Sequence, residues 1–263
     1  MNEAFEFYYS ALYGDRWEGL RKNLLEDRPA YAFSQGLRLP YFLDYASVLA
    51  ARSLRLAPAE PAFTALDACA APGGKSLVIA SALPAEARLL ANEFSADRRR
   101  RLSEVLDKHL TREKREQVRV SGFDAAAQGG RKGEHGRFAA ILLDAPCSAE
   151  AHILKDGRAL SAWTPARPRF LARRQWALLS SAFLLLSPCG SLVYATCALS
   201  AEENDGVARR LFEKYGGLAF LDPPDFSEGE KTEFGRIILP DNSGGIGPMY
   251  VARFRKTPVN GAD

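Results

Sequence analysis

The chain has 263 residues, 47% hydrophobic and 25% charged, enough for one large folded unit with a substantial buried core. No segment approaches the roughly 20 apolar residues of a membrane helix, and the first residues lack the basic start and apolar run of a secretion signal, so a cytoplasmic location is expected. The formal net charge of +3 permits a polyanionic partner without requiring one. Cys69, Cys147, Cys189 and Cys197 form no C-x-x-C pair, which argues against a zinc site and a secreted disulfide framework.

Residues 1–58 read as a small helical extension, with helices at Asp15 to Leu25 and Tyr41 to Leu54 and no strand between them. The Ala-Pro-Ala-Glu-Pro stretch, residues 57–61, marks a boundary, and residues 59–263 read as the main domain. There, short β-rich runs alternate with helical patterns, which predicts an α/β fold: a mostly parallel sheet with helices on both faces. Strands are expected at Phe63 to Leu66, Arg88 to Ala91, Gln117 to Val120, Phe138 to Leu143 and Ser191 to Ala195. A weak strand at Leu218 to Leu221, a Gly/Pro/Asp-rich loop and a last strand at Met249 to Phe254 bring the total to seven. The clearest helix is Arg169 to Leu186, with Phe170, Leu171, Leu178, Leu179, Phe183 and Leu186 at three- and four-residue steps. Another is expected from Ser200, where Ser200 and Glu203 match a capping box ahead of Val207 and Leu211.

FTALDACAAPGGKSLVIA supplies a strand, a turn at Ala71-Pro72-Gly73-Gly74 and a helix from about Lys75. A triphosphate-binding loop requires a glycine five positions before Gly74, and Cys69 stands there, so that reading fails. The paired glycines still let a ligand approach the backbone closely. Glu93, Asp124 and Asp144 follow the next three strands, and open parallel sheets bind ligands at those strand ends. An acid some 20 residues after the glycine turn suits ribose hydroxyls, as Glu93 would. Cys147 follows the fourth strand and Cys197 the fifth.

LDACAAPGGKS, LLDAPCS and YATCALSAEEN, in that order and spacing, resemble the motifs of the Sun family of RNA cytosine-5 methyltransferases, over about residues 60–255. YYSALYGDRWEGLRKNLL and GPMYVARFRK further resemble the branch acting on mitochondrial small-subunit ribosomal RNA. The resemblance implies a Rossmann-like class I methyltransferase fold and S-adenosylmethionine as cofactor. It places Cys69, Ala70, Ala71, Pro72, Gly73, Gly74 and Lys75 around the cofactor, the last three at its methionine part. It puts Glu93 on the ribose with Arg98 nearby, Asp124 beside the adenine, and Asp144 between cofactor and target base. It makes Cys197 the nucleophile and Cys147 the aid to product release, with no metal.

That chemistry accounts for two thiols. Cytosine C5 is too electron-poor to take a methyl group directly, so a thiolate adds to C6 first and turns C5 into a nucleophile. The C5 proton then leaves to a base as the thiolate is expelled, and an acid at N3, here Asp144, stabilises the charge that develops. A free thiol near pKa 8.5 is only a few per cent ionised at neutral pH, so Cys197 needs help, for which the helix expected at Ser200 offers its N-terminus. Cys69 and Cys189 read as small buried hydrophobes.

Ribosomal RNA is the expected substrate, with transfer RNA as the alternative, or a ribosome-assembly role in which methylation is dispensable. Arg98 to Arg101, Arg167, Arg169, Arg173 and Arg174 are expected to meet phosphates, and Trp163 to stack on a base. The short extension suggests a substrate already folded in a ribosomal subunit or assembly intermediate, or a separate targeting protein. Two departures bear on the fit to the target: relatives usually have Ser-Gly after Pro-Cys where this chain has Ser148-Ala149-Glu150-Ala151, and Ala198 stands where a serine commonly follows Thr-Cys.

Overall fold

In the computed structural model, which describes residues 2–27, 30–56 and 62–258, the strands are β1 (Tyr31–Phe33), β2 (Tyr41–Leu43), β3 (Thr64–Asp67), β4 (Arg88–Asn92), β5 (Val118–Ser121), β6 (Phe138–Asp144), β7 (Leu186–Thr196), β8 (Ala219–Leu221), β9 (Glu230–Lys231), β10 (Arg236–Ile238) and β11 (Met249–Lys256). The apolar runs FAAILLD and LVYAT are buried on both faces, as central strands of a doubly covered sheet must be. The main sheet has the order β5-β4-β3-β6-β7-β11-β10-β9, with β8 also paired to β11. Strands β3 to β7 are parallel, and β11 is antiparallel to β7. This is the Rossmann-like architecture expected.

Among the described residues the main sheet has nine strands where seven are predicted. The two extra ones, β9 and β10, lie in the Gly/Pro/Asp-rich loop and are two and three residues long, too short to display a period-two pattern. The N-terminal segment also differs from its all-helical reading: β1 and β2 pair as a hairpin, and the helix predicted from Tyr41 starts only at Tyr45. Asp44 causes the delay, since its side chain accepts the Ala46 N–H at 2.7 Å and so ends the extended run. The Ala-Pro-Ala-Glu-Pro boundary lies outside the described residues.

Helices Arg16–Leu25 and Ala166–Leu185 occur close to their predicted limits. The helix expected at Ser200 begins instead at Asp205. Glu203 is fully buried and binds Ser148 and Gln175, so the capping box never forms, because tertiary partners outbid the local one.

One face of the sheet packs on helices Tyr45–Arg52, Gly74–Ala82 and Ala96–His109, the other on Ala166–Leu185 and Asp205–Tyr215. A third apolar cluster joins helix Glu3–Tyr13 and its neighbour to Ile153, Leu154, Trp163, Leu199 and Leu239. Trp163 is 3% exposed there, edge-on to Phe5 at 5.0 Å, and is therefore unavailable to stack on a base. Cys189, read as buried, is exposed near the start of β7, with φ of 60°. Among the described residues no helix is long and apolar enough to cross a membrane.

Candidate active site

From β3 the chain builds outward to β4 and β5 on one side, and from β6 to β7 on the other, so the carboxyl ends of β3 and β6 part and leave a crevice. Three segments meet there: the turn after Asp67, the Asp144-to-Cys147 stretch, and Thr196-Cys197. Asn92 at the end of β4 ties the strand ends together, donating to Ala68 O at 3.1 Å and Phe123 O at 3.0 Å and accepting from the Phe123 N–H at 3.0 Å.

Both glycines of the turn are sterically required. Gly73 has φ of +123°, and a Cβ there would stand 3.0 Å from Val105 Cγ1, while one on Gly74 would stand 2.9 Å from Tyr41 Cε1. Beside them is a cavity of about 100 Å³ lined by Asp67, Cys69, Ala70, Ala71, Pro72, Gly74 and Lys75, with Tyr41 from the hairpin. Asp67 is 1% exposed; its Oδ2 accepts from Ser76 Oγ at 2.6 Å, and its Oδ1 has no partner. Burial pushes its carboxyl up to about 7 against the pull of the Ser76 bond.

Glu93 is buried beside the same turn, accepting the Ser95 N–H at 2.9 Å, with Arg98 Nη2 3.4 Å from its other oxygen. Arg98 also donates to Ala71 O at 2.9 Å, and Arg99 to Glu93 O at 2.8 Å. Within the basic run, Arg98 therefore braces the turn and Arg99 the backbone at Glu93. Asp124 is exposed and caps the helix Ala125–Gln128 by accepting the Ala126 N–H; it lines neither cavity of the crevice.

A larger cavity of about 480 Å³ adjoins the small one, and Ser47, Lys75 and Asp144 line both. Lys75 Nζ donates to Asp144 Oδ2 at 2.8 Å, so this ion pair is the partition between them. Burial works against the Lys75 ammonium, but Asp144 and then the Cys197 sulfur outweigh it and hold the group protonated. Cys197 opens onto the large cavity with Asp44, His152, Lys155, Gly247 and Met249. Asp44 accepts the Gly247 N–H at 3.1 Å, fastening the hairpin end to the glycine-rich loop at the cavity mouth.

The two predicted cysteines meet: Cys147 Sγ lies 2.9 Å from Cys197 Sγ. The contact with Cys197, followed by burial, raises the Cys147 thiol well above its ordinary value, so Cys147 keeps its proton and donates it to its neighbour. The expected helix N-terminus plays no part at Cys197, because that helix starts at Asp205. Ala149, where relatives were expected to carry glycine, takes φ of 54° in the left-handed region, a cost of roughly 1 kcal/mol that glycine would escape.

Sequence reasoning missed Tyr41, Asp44 and Asp67 at the cavities, and Glu150 and Glu203 behind the cysteines. An acid inside the apolar run TALDACA was the signal available for Asp67. Glu203 was noticed, but as a cap.

The family described as 16S rRNA methyltransferase RsmB/F matches residues 53–255. Ribosomal RNA small subunit methyltransferase F from Escherichia coli is 40% identical over 196 residues, 73% of this chain and 40% of the relative. Its counterpart from Serratia proteamaculans is 34% identical over 221 residues, 82% and 45%. The chain thus spans less than half the length of these curated relatives. Among solved structures, NSun6 from Pyrococcus horikoshii, determined with the S-adenosylmethionine analogue SFG, has 27% identity and a TM-score of 0.70 over 86% of this chain and 55% of that one. A methyltransferase homolog protein from Pyrococcus horikoshii shares the fold, with a TM-score of 0.75 at 21% identity over 97% and 95%. These agree with the Sun-family resemblance; none of them bears on its mitochondrial branch.

Proposed function

The chain belongs to the RsmB/F methyltransferase family, and from that membership we propose that it methylates C5 of a cytosine in small-subunit ribosomal RNA through a covalent bond between Cys197 and C6. The observation that carries the reading is the 2.9 Å approach of Cys147 to Cys197, at a cavity wall shared with Lys75 and Asp144. A structural cysteine has no use for a second thiol and an ion pair at a cavity opening.

The small cavity and its rim fit S-adenosylmethionine. Asp67 at the cavity wall offers a carboxylate to its ammonium group, the glycine pair admits a close backbone approach, and Glu93 offers a carboxylate to ribose hydroxyls. When bound, this cofactor supplies an electrophilic methyl group. Asp124 completes the proposed set only at its outer edge, since it is turned to solvent.

The large cavity takes the target base, which must leave its stack at a cost of a few kcal/mol. Cys197 adds to C6, Asp144 meets N3, and the Lys75 ammonium beside it balances the negative charge that gathers on the ring. After transfer the C5 proton leaves to a base and the sulfur–carbon bond breaks. Cys147, which has kept its proton, donates it to the departing sulfur. Arg167, Arg173 and Arg174, exposed on the helix Ala166–Leu185, are positioned for phosphates, whereas Arg169 is engaged with Glu202. The substrate is proposed to be a ribosomal subunit or assembly intermediate, in the cytoplasm.

Bisulfite sequencing of ribosomal and transfer RNA from cells with and without the protein tests the substrate; an unchanged pattern in ribosomal RNA refutes it. Cys197→Ala abolishes methylation and leaves cofactor binding intact. Cys147→Ala accumulates a protein–RNA adduct visible on a denaturing gel, because the sulfur no longer receives its proton.

A further inference from the structure

Directly behind the cysteines lies a carboxyl pair that the proposed chemistry does not use. Glu150, Glu203 and Ser148 are each 0% exposed. Ser148 Oγ is within bonding distance of one oxygen of each carboxyl, Glu150 Oε1 and Glu203 Oε1. A hydroxyl has one hydrogen, so it can satisfy only one of the two. Were both groups ionised, bare lone pairs would face each other in a site closed to water, and among the described residues no ion pair reaches either carboxyl.

The remaining partners decide where the missing proton sits. Glu150 receives donors at both oxygens: Tyr9 Oη at 2.5 Å on Oε1 and the Leu199 N–H at 3.0 Å on Oε2. Glu203 receives the Ser148 N–H at 3.0 Å and Gln175 Nε2 at 2.8 Å, both on Oε2, which leaves Oε1 facing the serine alone. We infer that Glu203 is protonated at Oε1 and donates to Ser148, which donates to ionised Glu150, and that this chain positions the Cys147 loop against the Cys197 loop. Ser148 follows Cys147 directly, and Leu199 is two residues past Cys197, so one ionised carboxyl holds both loops at once.

The other titratable groups around the pair are Tyr8, Tyr9 and Tyr13 from the first helix, Tyr194 from β7, Cys147 from the loop and Glu202 from the turn. None of them is a cation that could neutralise a second negative charge. Burial, and then the charge on Glu150, lift the Glu203 carboxyl to about 7. Burial likewise lifts Tyr9, with Glu150 adding to it, so Tyr9 stays a donor. As pH rises through about 7, Glu203 loses its proton, Ser148 is left between two anions, and the loops separate. Glu150 and Glu203 are thus positioning residues, acting through the two sulfurs.

This inference rests on the proposed roles of Cys147 and Cys197, so its test includes a readout independent of them. Infrared difference spectra of the whole protein are expected to show the carbonyl stretch of a buried protonated carboxyl that fades as pH rises through about 7 and is missing in Glu203→Gln. A wild type without that band, or a band that survives the substitution, overturns the proton assignment. Single-turnover methylation of ribosomal RNA is then followed against pH. Glu203→Gln, whose amide donates to Ser148 as the acid does, keeps the neutral-pH rate within about threefold and loses the alkaline decline, while Glu150→Gln, which in either orientation sets an amide N–H against a donor, falls by about tenfold or more. Equal losses in the two variants, or an unaltered alkaline limb in Glu203→Gln, overturn the positioning role. If the wild type itself methylates no RNA, the proposed function fails and the infrared band still decides the proton.

Discussion

In front of the two sulfurs Lys75 and Asp144 form an ion pair on the wall of an open cavity, whereas behind them Glu150 and Glu203 face each other across Ser148 with no cation near. Opposite charges can stay partly solvated and remain free to exchange partners when a substrate arrives, as Asp144, with 29% of its side chain exposed, is placed to do. Like charges sealed from water are tolerable only when a shared proton reduces them to a single charge. The front pair is therefore built to act on a ligand, and the rear pair to hold a shape.

Substitutions on the two sides should separate these roles. The largest expected effect is on catalysis in front: Lys75→Met lowers the rate of adduct formation by about 10²-fold or more and changes stability by only about 1 kcal/mol, measured by rapid-quench gels and by urea unfolding. Behind, the balance reverses. Glu203→Ala leaves the Ser148 N–H without an acceptor and the Gln175 amide with Pro146 O alone, and costs about 3 kcal/mol of unfolding free energy, read from the same urea curves. If Glu203→Ala were as stable as the wild type, the division between acting and holding would break down.

A smaller effect appears with pH. Glu203 has an ordinary value of about 4.5 and a folded value of about 7, so the native state binds the extra proton. The stability it contributes is full below about 4.5 and is lost as pH rises through about 7. Relative to Glu203→Gln, the wild type should lose about 3 kcal/mol across that window, seen as converging or crossing urea midpoints. Asp67, raised to about 7 by burial, moves stability in the same direction. Smallest of all, Asp67→Asn should keep the Ser76 contact and the fold while weakening cofactor binding by about tenfold, measured by calorimetry.

The parallel strands were legible because their apolar runs are long and bounded, and the two cysteines were legible as a pair through the family motifs that carry them. The β1–β2 hairpin was hidden: Tyr41 and Leu43 fit a helical period as well as an extended one, and only the Asp44 cap decides between them. Glu203 shows the same limit at the site. Its spacing from Ser200 satisfies a local rule, yet its carboxyl is claimed by Ser148, a partner 55 residues away. Burial of Trp163 under the first helix, and the bond from Arg98 to the glycine turn at Ala71 O, likewise depend on contacts between distant segments that no window of sequence displays.

The clasp between Asp44 and Gly247 bears on how the protein comes into being. During synthesis both cysteines leave the ribosome well before Gly247 does, so a growing chain already carries its thiols while the cavity mouth has no second lip. Reactive sulfur is thereby kept from a finished pocket until Gly247 has been made, and a chain interrupted before Gly247 holds the full pair of thiols without the enclosure that gives them a target.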